Sequence, residues 1–428
     1  MRKSKYAAVL FALLSAGAFA KTTVTVWVPW GGPDGDAIFN AAKEFNGTQD
    51  EIEVRPTMVA GAGLDGGGAG RFMTAVASGM PPDLILYWGN DTIAGLAKNN
   101  AIMPLDELMA KTGLNPSAFN AAAFGSIMYG GKVYGVPEMI NARMLYINND
   151  HAVAAGLDLQ NPPKTLDELN AWSDKMTKRE ADGKILQMGF IPWLGQGKAE
   201  ILTGYMGGSL WDAAAGKPAI RNDGTAVVAD WFAGVLTKYG TNNVSRFTAS
   251  FGKALQSSGS DPFVGGVVSM QINGGWHANF IRKYNPTMKY TVAPVPVAGN
   301  ATYGSSFVDG NTWMIPRGAK APEAAMKFVT WFSQPERSAK VAGAVFNVTP
   351  LREGLALQST TDNAAMALSV KMASSSGNFG LPAVDPMLVI RRELESGFNK
   401  LTAGQIEPAP MLEAVAKSVD TAIAQGRF

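Results

Sequence analysis

Strand-like and helix-like runs alternate along this chain, and that alternation limits its possible folds more than any other feature. Val24-Thr25-Val26-Trp27-Val28 reads as a strand and is followed by a Gly31-Gly32-Pro33 turn. Residues 36–46 have helical spacing, with Ile38, Ala42 and Phe45 on one face. Residues 52–59 and 84–87 read as strands, with a helix over 71–78 between them. Parallel neighbours need a crossover, so a β-α-β-α order predicts a mostly parallel sheet with helices on both faces. The 428 residues include 48 glycines and are 46% apolar, which supplies tight turns and enough core for two domains. Global disorder is excluded, and there is no internal repeat or long linker.

The first twenty residues read as a secretory signal. Arg2, Lys3 and Lys5 form a basic start, residues 6–14 an apolar core, and Ala18-Phe19-Ala20 a small-x-small cleavage site. The apolar core is shorter than the ~20 residues a bilayer helix needs, and no later run reaches that length. Cleavage after Ala20 would remove three cations and no acid, taking the net charge from +2 to −1. A near-neutral mature chain has no electrostatic reason to bind nucleic acid or anionic lipid. The chain has no cysteine, hence no disulfide, no thiolate nucleophile and no cysteine metal site. Lys21 would follow the cleavage site, where a lipid anchor needs cysteine. The expectation is a freely diffusing, monomeric periplasmic protein.

The most informative segment spans residues 131–176. It opens with a Gly130-Gly131 turn and a short strand over 132–136 that Pro137 breaks; a second apolar run covers 144–147. After the Pro162-Pro163 stop, Thr165 and Glu168 have capping-box spacing, and Leu166, Leu169, Trp172 and Met176 follow near helical period. The residues alone give a strand, a break, a strand and two short helices. The order G-K-x-Y-G-x-P, then L-Y-x-N-x-D, then P-P-K-T-x-D-E-L also resembles extracellular solute-binding proteins of ATP-driven sugar importers, the maltose-binding-protein type. Other stretches repeat the resemblance in family order. Pro81-Pro82-Asp83-Leu84-Ile85 is similar to the family's P-P-D-V-V strand, and Ile102-Met103-Pro104-Leu105-Asp106 to its L-x-P-L-D turn. The strand ending Asn273-Gly274-Gly275-Trp276 is similar to N-G-x-W. The run Ile315-Pro316-Arg317-Gly318 to Gln334-Pro335-Glu336 is similar to the I-P-x-G, helix, S-P-E block, and Thr349-Pro350-Leu351-Arg352 to the x-P-x-R turn.

The resemblance implies an α/β, two-lobed periplasmic-binding-protein fold, type II-like, each lobe a mostly parallel sheet flanked by helices. Three crossovers are expected, near Val136-Pro137, near residues 293–296 and near residues 348–351. Lobe one would be residues 21–136 plus 295–348; lobe two would be 137–294 plus 349–428. The implied function is capture of a carbohydrate by hinge closure and delivery to a membrane permease of an ATP-binding-cassette importer, without cofactor, metal or chemistry on the ligand.

A sugar packs its C–H face on aromatic rings and presents hydroxyls to directional donors and acceptors. Of the ten tryptophans, Trp27, Trp172, Trp231 and Trp331 lie in regular elements and read as packing. Trp30, Trp88, Trp193, Trp211, Trp276 and Trp313 lie at strand ends or in Gly/Pro-rich loops, where open α/β sheets bind ligands. Each is a candidate for ligand contact or for partial burial. Asn90 and Asp91 follow Trp88 and offer polar contacts, with Asp91 favoured. By the resemblance, Trp276 takes the family's stacking position, and Asp309, Gly310 and Asn311 lie in its cleft-lining turn; the alternative for Asp309 and Asn311 is that they only shape that turn. Glu138 and Asn141 face the cleft by the same analogy, while Arg352 either bonds ligand or braces the third hinge.

Gly61-x-Gly63-x-x-Gly66 formally matches a dinucleotide fingerprint, but it follows the second strand, and the next acid, Asp83, begins a strand rather than ending one. It reads instead as a loop at the cleft mouth. The two histidines, His151 and His277, are far apart with no nucleophile elbow, which leaves a triad or a two-histidine metal site poorly supplied; His277 reads as a cleft or surface residue. A secreted glycoside hydrolase, needing only two carboxylates, and a binder of a non-sugar solute such as glycerol phosphate are the alternatives.

Overall fold

The computed structural model describes residues 21–59, 68–88, 92–251, 259–358 and 363–426. The Gly61–Gly66 fingerprint, Asn90 and Asp91 lie outside them. The strands expected near the start form as β1 (Thr22–Val28), β2 (Ile52–Met58) and β3 (Leu84–Trp88), parallel to one another. The helix Gly32–Thr48 buries Ile38, Ala42 and Phe45, the face its spacing predicts. The Gly130-Gly131 turn joins β4 (Met128–Tyr129) to β5 (Lys132–Val133).

The expected break at Pro137 does not occur. β6 runs unbroken from Val136 to Asn148, thirteen residues, all buried. It tolerates proline because the neighbouring ladder changes register there: Asn311 faces Met139 while Thr312 faces Pro137. A bulge removes the need for a backbone donor at that point.

The remaining strands are β7 (Lys178–Arg179), β8 (Ile185–Phe190), β9 (Trp211–Asp212), β10 (Lys217–Pro218), β11 (Val268–Gly274), β12 (Tyr290–Pro294) and β13 (Val308–Met314). One nine-stranded sheet takes the order β2-β1-β3-β13-β6-β11-β8-β7, with β12 also paired to β6. It is mixed. Parallel pairs lie toward both flanks (β1 with β2 and β3, β8 with β11), while β7 pairs antiparallel to β8 at one edge and β6 and β13 run antiparallel through the middle. The long central strands carry the chain from one half to the other and reverse its direction.

Two large cores flank this middle. The first joins β1–β3 and the helix Gly32–Thr48 to Trp313, Met314 and Ile315 and to Phe328 and Phe332 of the helix Pro322–Phe332. The second joins Leu145 and Ile147 of β6, β8 and β11 to the helices Ala199–Tyr205, Asp223–Tyr239, Met387–Thr402 and Pro408–Ala424. Val295 and Phe307 pack in this second core, so the chain rejoins the first only along β13, beyond the return expected near residue 295. The capping box forms as its spacing predicts. Thr165 Oγ1 accepts from the Glu168 N–H at 3.2 Å, and Glu168 Oε2 accepts from the Thr165 N–H at 3.1 Å. Such a cap is worth about 1 kcal/mol to the helix Leu166–Met176.

Candidate functional site

A cavity of about 450 Å³ opens between the two cores, in the size range of small-ligand sites. Trp88, at the carboxyl end of β3, contributes to one wall with Pro137 and Met139 of β6. The facing wall holds Glu200 and Ile201, Phe307, Phe379 and Arg391. Asp309 and Gly310 of β13 lie between them. Phe379 reaches its place because residue 204 is glycine: a Cβ there would lie 2.0 Å from the ring.

The strongest electrostatic element beside the cavity centres on Arg143, which is fully buried on β6. Asn141 faces Asp309 in the β6–β13 ladder, so Arg143, two residues further along the same face, reaches Asp309 diagonally. Its Nη2 donates to Asp309 Oδ2 at 2.8 Å and its Nε to Gln196 Oε1 at 3.3 Å. The guanidinium carbon stands 4.9 Å from the Trp276 ring centre and 5.5 Å from that of Phe307. Arg143 Nη1 and Asp309 Oδ1 are enclosed without hydrogen-bond partners among the described residues. One arginine thus fixes a cavity carboxylate and an indole.

A second charged group bridges the cavity wall. Arg391 pairs with Glu200 at 3.4 Å, and both side chains are largely buried. Lys198 Nζ lies 4.7 Å from the Trp88 ring centre and the Arg391 guanidinium carbon 5.9 Å from it, so two cations flank the Trp88 indole. Further along the same boundary Lys98 pairs with Asp385 at 3.0 Å.

Behind the crossing strands lies a pair of carboxylates. Glu138, at the bulge, accepts from Asn311 Nδ2 at 3.1 Å through Oε2, while its Oε1 has no partner among the described residues. Burial pushes its pKa up to about 8, and the nearby Asp34 adds to the shift. Asp34, in the first turn of the helix Gly32–Thr48, is itself pushed up to about 7 by burial. The pair therefore retains protons near neutral pH.

Of the tryptophans singled out in the sequence, only Trp88 lines the 450 Å³ cavity. Trp276 precedes the helix His277–Tyr284 with Arg143 over its ring, and Gly274 is required beside it, since a Cβ there would lie 1.8 Å from the indole. Trp193 packs on Phe232 with 5.2 Å between ring centres and lines a neighbouring groove. Trp30 packs against the first core, and Trp211, in the β9–β10 hairpin, against the second. Trp313 takes the buried alternative: it is 1% exposed and packs edge-on against Phe328 and Phe332. Its place on β13 turns the side chain into the first core.

Asp309 and Gly310 do line the cavity, whereas Glu138, Asn141 and Asn311 are buried beside it. Arg352 Nε donates to the Phe119 carbonyl at 3.1 Å. His277 is fully buried against Tyr146 and Phe263, not at a cleft or surface. Sequence reasoning missed Arg143, Glu200, Phe379 and Arg391. Only Arg143 carried a local signal, a lone cation inside an apolar strand, which burial forces to find a partner.

The model of the bacterial extracellular solute-binding protein family matches residues 40–368. The chain belongs to that family. Among solved structures it is similar to CpMnBP1 with mannotriose bound: 38% identical, TM-score 0.86, covering 93% of this chain and 100% of that one. Among curated proteins it is similar to the maltooligosaccharide ABC transporter solute-binding lipoprotein of Streptococcus pneumoniae, 25% identical over 68% of this chain and 64% of that protein. It is also similar to the sn-glycerol-3-phosphate-binding periplasmic protein UgpB of Pectobacterium atrosepticum, 28% identical over 40% of this chain and 38% of that protein. The chain spans less than two thirds of the length of the curated relatives it matches.

Proposed function

We propose that this family member is the periplasmic substrate-binding component of an ATP-binding-cassette importer and captures an oligosaccharide. The observation that carries the reading is the 450 Å³ cavity between the two cores, where Trp88 and Phe379 meet Asp309, Glu200 and Arg391. Rings serve the C–H faces of a sugar, and the charged groups serve its hydroxyls. The resemblance over nearly the whole chain to CpMnBP1, which holds mannotriose, supports the same ligand class. A phosphate ligand such as glycerol phosphate would place its charge beside Asp309 and Glu200 as well as Arg391, which disfavours it.

In this reading the two cores are the cores of two lobes that exchange chain along β6, β13 and the segment 348–351. Ligand touches both walls, and only the closed state makes both sets of contacts, so binding shifts the population toward closure. The closed form then docks on the permease. The mature protein is a monomer beginning at Lys21, diffuses freely in the periplasm and performs no chemistry on its ligand.

The test is thermal unfolding of ligand-stripped protein with mannotriose, maltotriose and glycerol 3-phosphate, each mixture then analysed by mass. Mannotriose at a hundred times its dissociation constant should stabilise by about 2.7 kcal/mol and be recovered intact. For a chain of this size that is a rise of several degrees. Cleaved sugar would establish a glycoside hydrolase instead, and a shift with glycerol 3-phosphate alone would replace the carbohydrate reading.

A further inference from the structure

A second concavity, of about 720 Å³, opens beside the cleft. Glu200 and Arg391 line both spaces, so their ion pair forms a sill between two chambers rather than the end wall of one. Beyond the sill lies Trp193, half-buried and propped by Phe232. Arg391, Glu395, Asn399 and Thr402 also line the groove and share one face of the helix Met387–Thr402. They set a guanidinium, a carboxylate, an amide and a hydroxyl in a row.

This composition selects among possible occupants. An amphipathic peptide helix needs a continuous apolar stripe, which the polar row does not offer. An anion or nucleic acid needs a large excess of cations, yet Glu200 and Glu395 leave Lys198, Arg391 and Arg392 a formal excess of only one charge. An aromatic ring with mixed neutral and charged hydrogen-bonding groups is suited to a sugar. Continuity with the cleft makes that sugar part of the same ligand.

We propose that the binding site continues over the Glu200–Arg391 sill, so that the preferred ligand is a saccharide chain longer than the cleft alone can hold, with its outer units in the groove beside Trp193. This rests on the carbohydrate reading above.

Calorimetric titration of the full, ligand-stripped chain with manno- and malto-oligosaccharides of two, three and six units tests it. The six-unit member of the recognised series should bind at least about tenfold more tightly than the two-unit one. Asn399→Trp, on an exposed helix position, should fill the groove and bring that ratio close to one; Thr402→Trp repeats the test from the next turn. A flat affinity with length, or a ratio untouched by both variants, overturns the extended site while leaving capture of short sugars in place. Failure of every sugar to bind the unaltered protein overturns both readings. Unchanged titrations with loss of sugar uptake in cells carrying Asn399→Trp would overturn the proposal by assigning the groove to the membrane partner.

Discussion

Arg143→Met should destabilise the protein by about 3–5 kcal/mol, because it leaves the Asp309 carboxylate enclosed without its cation. Asp309 accepts from Arg143 at 2.8 Å and its side chain is only 9% exposed, so water in the cavity replaces the lost partner only in part. The double variant Arg143→Met/Asp309→Leu should recover most of the loss, since neither charge then remains buried. Guanidinium unfolding of the three proteins measures the coupling. If the double variant is as unstable as the single one, the effect lies in lost packing on Trp276 and Phe307 rather than in the charge. Ligand affinity should stay low even where stability returns, because the double variant removes the carboxylate that lines the cavity. Recovery of stability without recovery of binding would separate the two roles of the pair.

The second large effect concerns pH. Glu138 and Asp34 have pKa values raised by burial, to about 8 and about 7. The native protein therefore binds more protons than the unfolded chain between about pH 4 and pH 8, and stability falls as pH rises through that window. Above about pH 8 the loss is complete and the profile flattens. Glu138 alone accounts for roughly 5 kcal/mol of it, since each tenfold drop in proton activity across its window costs about 1.4 kcal/mol. Glu138→Gln keeps a polar partner for Asn311 and removes the titration, so its advantage over the unaltered protein should grow from pH 5 to pH 8. Melting temperatures across pH 5–9 decide this, and parallel curves for the two proteins would refute it. Asp83 acts in the opposite sense at lower pH. Burial alone would raise its pKa, but hydrogen bonds from Thr25, Ala321 and Lys320 outweigh burial and hold it below the usual carboxylate range. Its stabilisation is therefore lost only in stronger acid.

What the sequence made legible was local. The periodicity of residues 36–46 gave the buried face of the first helix, and the Thr165–Glu168 spacing gave a cap whose two hydrogen bonds both form. The order of short motifs gave the family. Properties that depend on a distant strand were not legible. Pro137 reads locally as a breaker, yet its fate depends on a bulge opposite Thr312, 175 positions away (312 − 137). Trp313 lies in a glycine-rich stretch that suggests a cleft, but the pairing of β13 with β3 and β6 turns its ring inward. Glu200 and Arg391 meet from |i−j| = 191 and have no shared sequence signature. The aromatic residues were thus found as a class, while the charged groups that define the cavity were mostly missed.

The two cores also determine when the chain can fold. The first contains β1 but needs Trp313 and Phe332, and the second contains β6 but needs the helices Met387–Thr402 and Pro408–Ala424. During synthesis a growing chain has most of its apolar residues long before either set is complete. Contacts across such separations form slowly, because loop closure must precede the gain from packing. A nascent molecule of this extracellular family therefore has no finished globule to dismantle if it is threaded through a membrane. The interleaving that joins its halves also delays completion of the second core until the helix Pro408–Ala424 has been added.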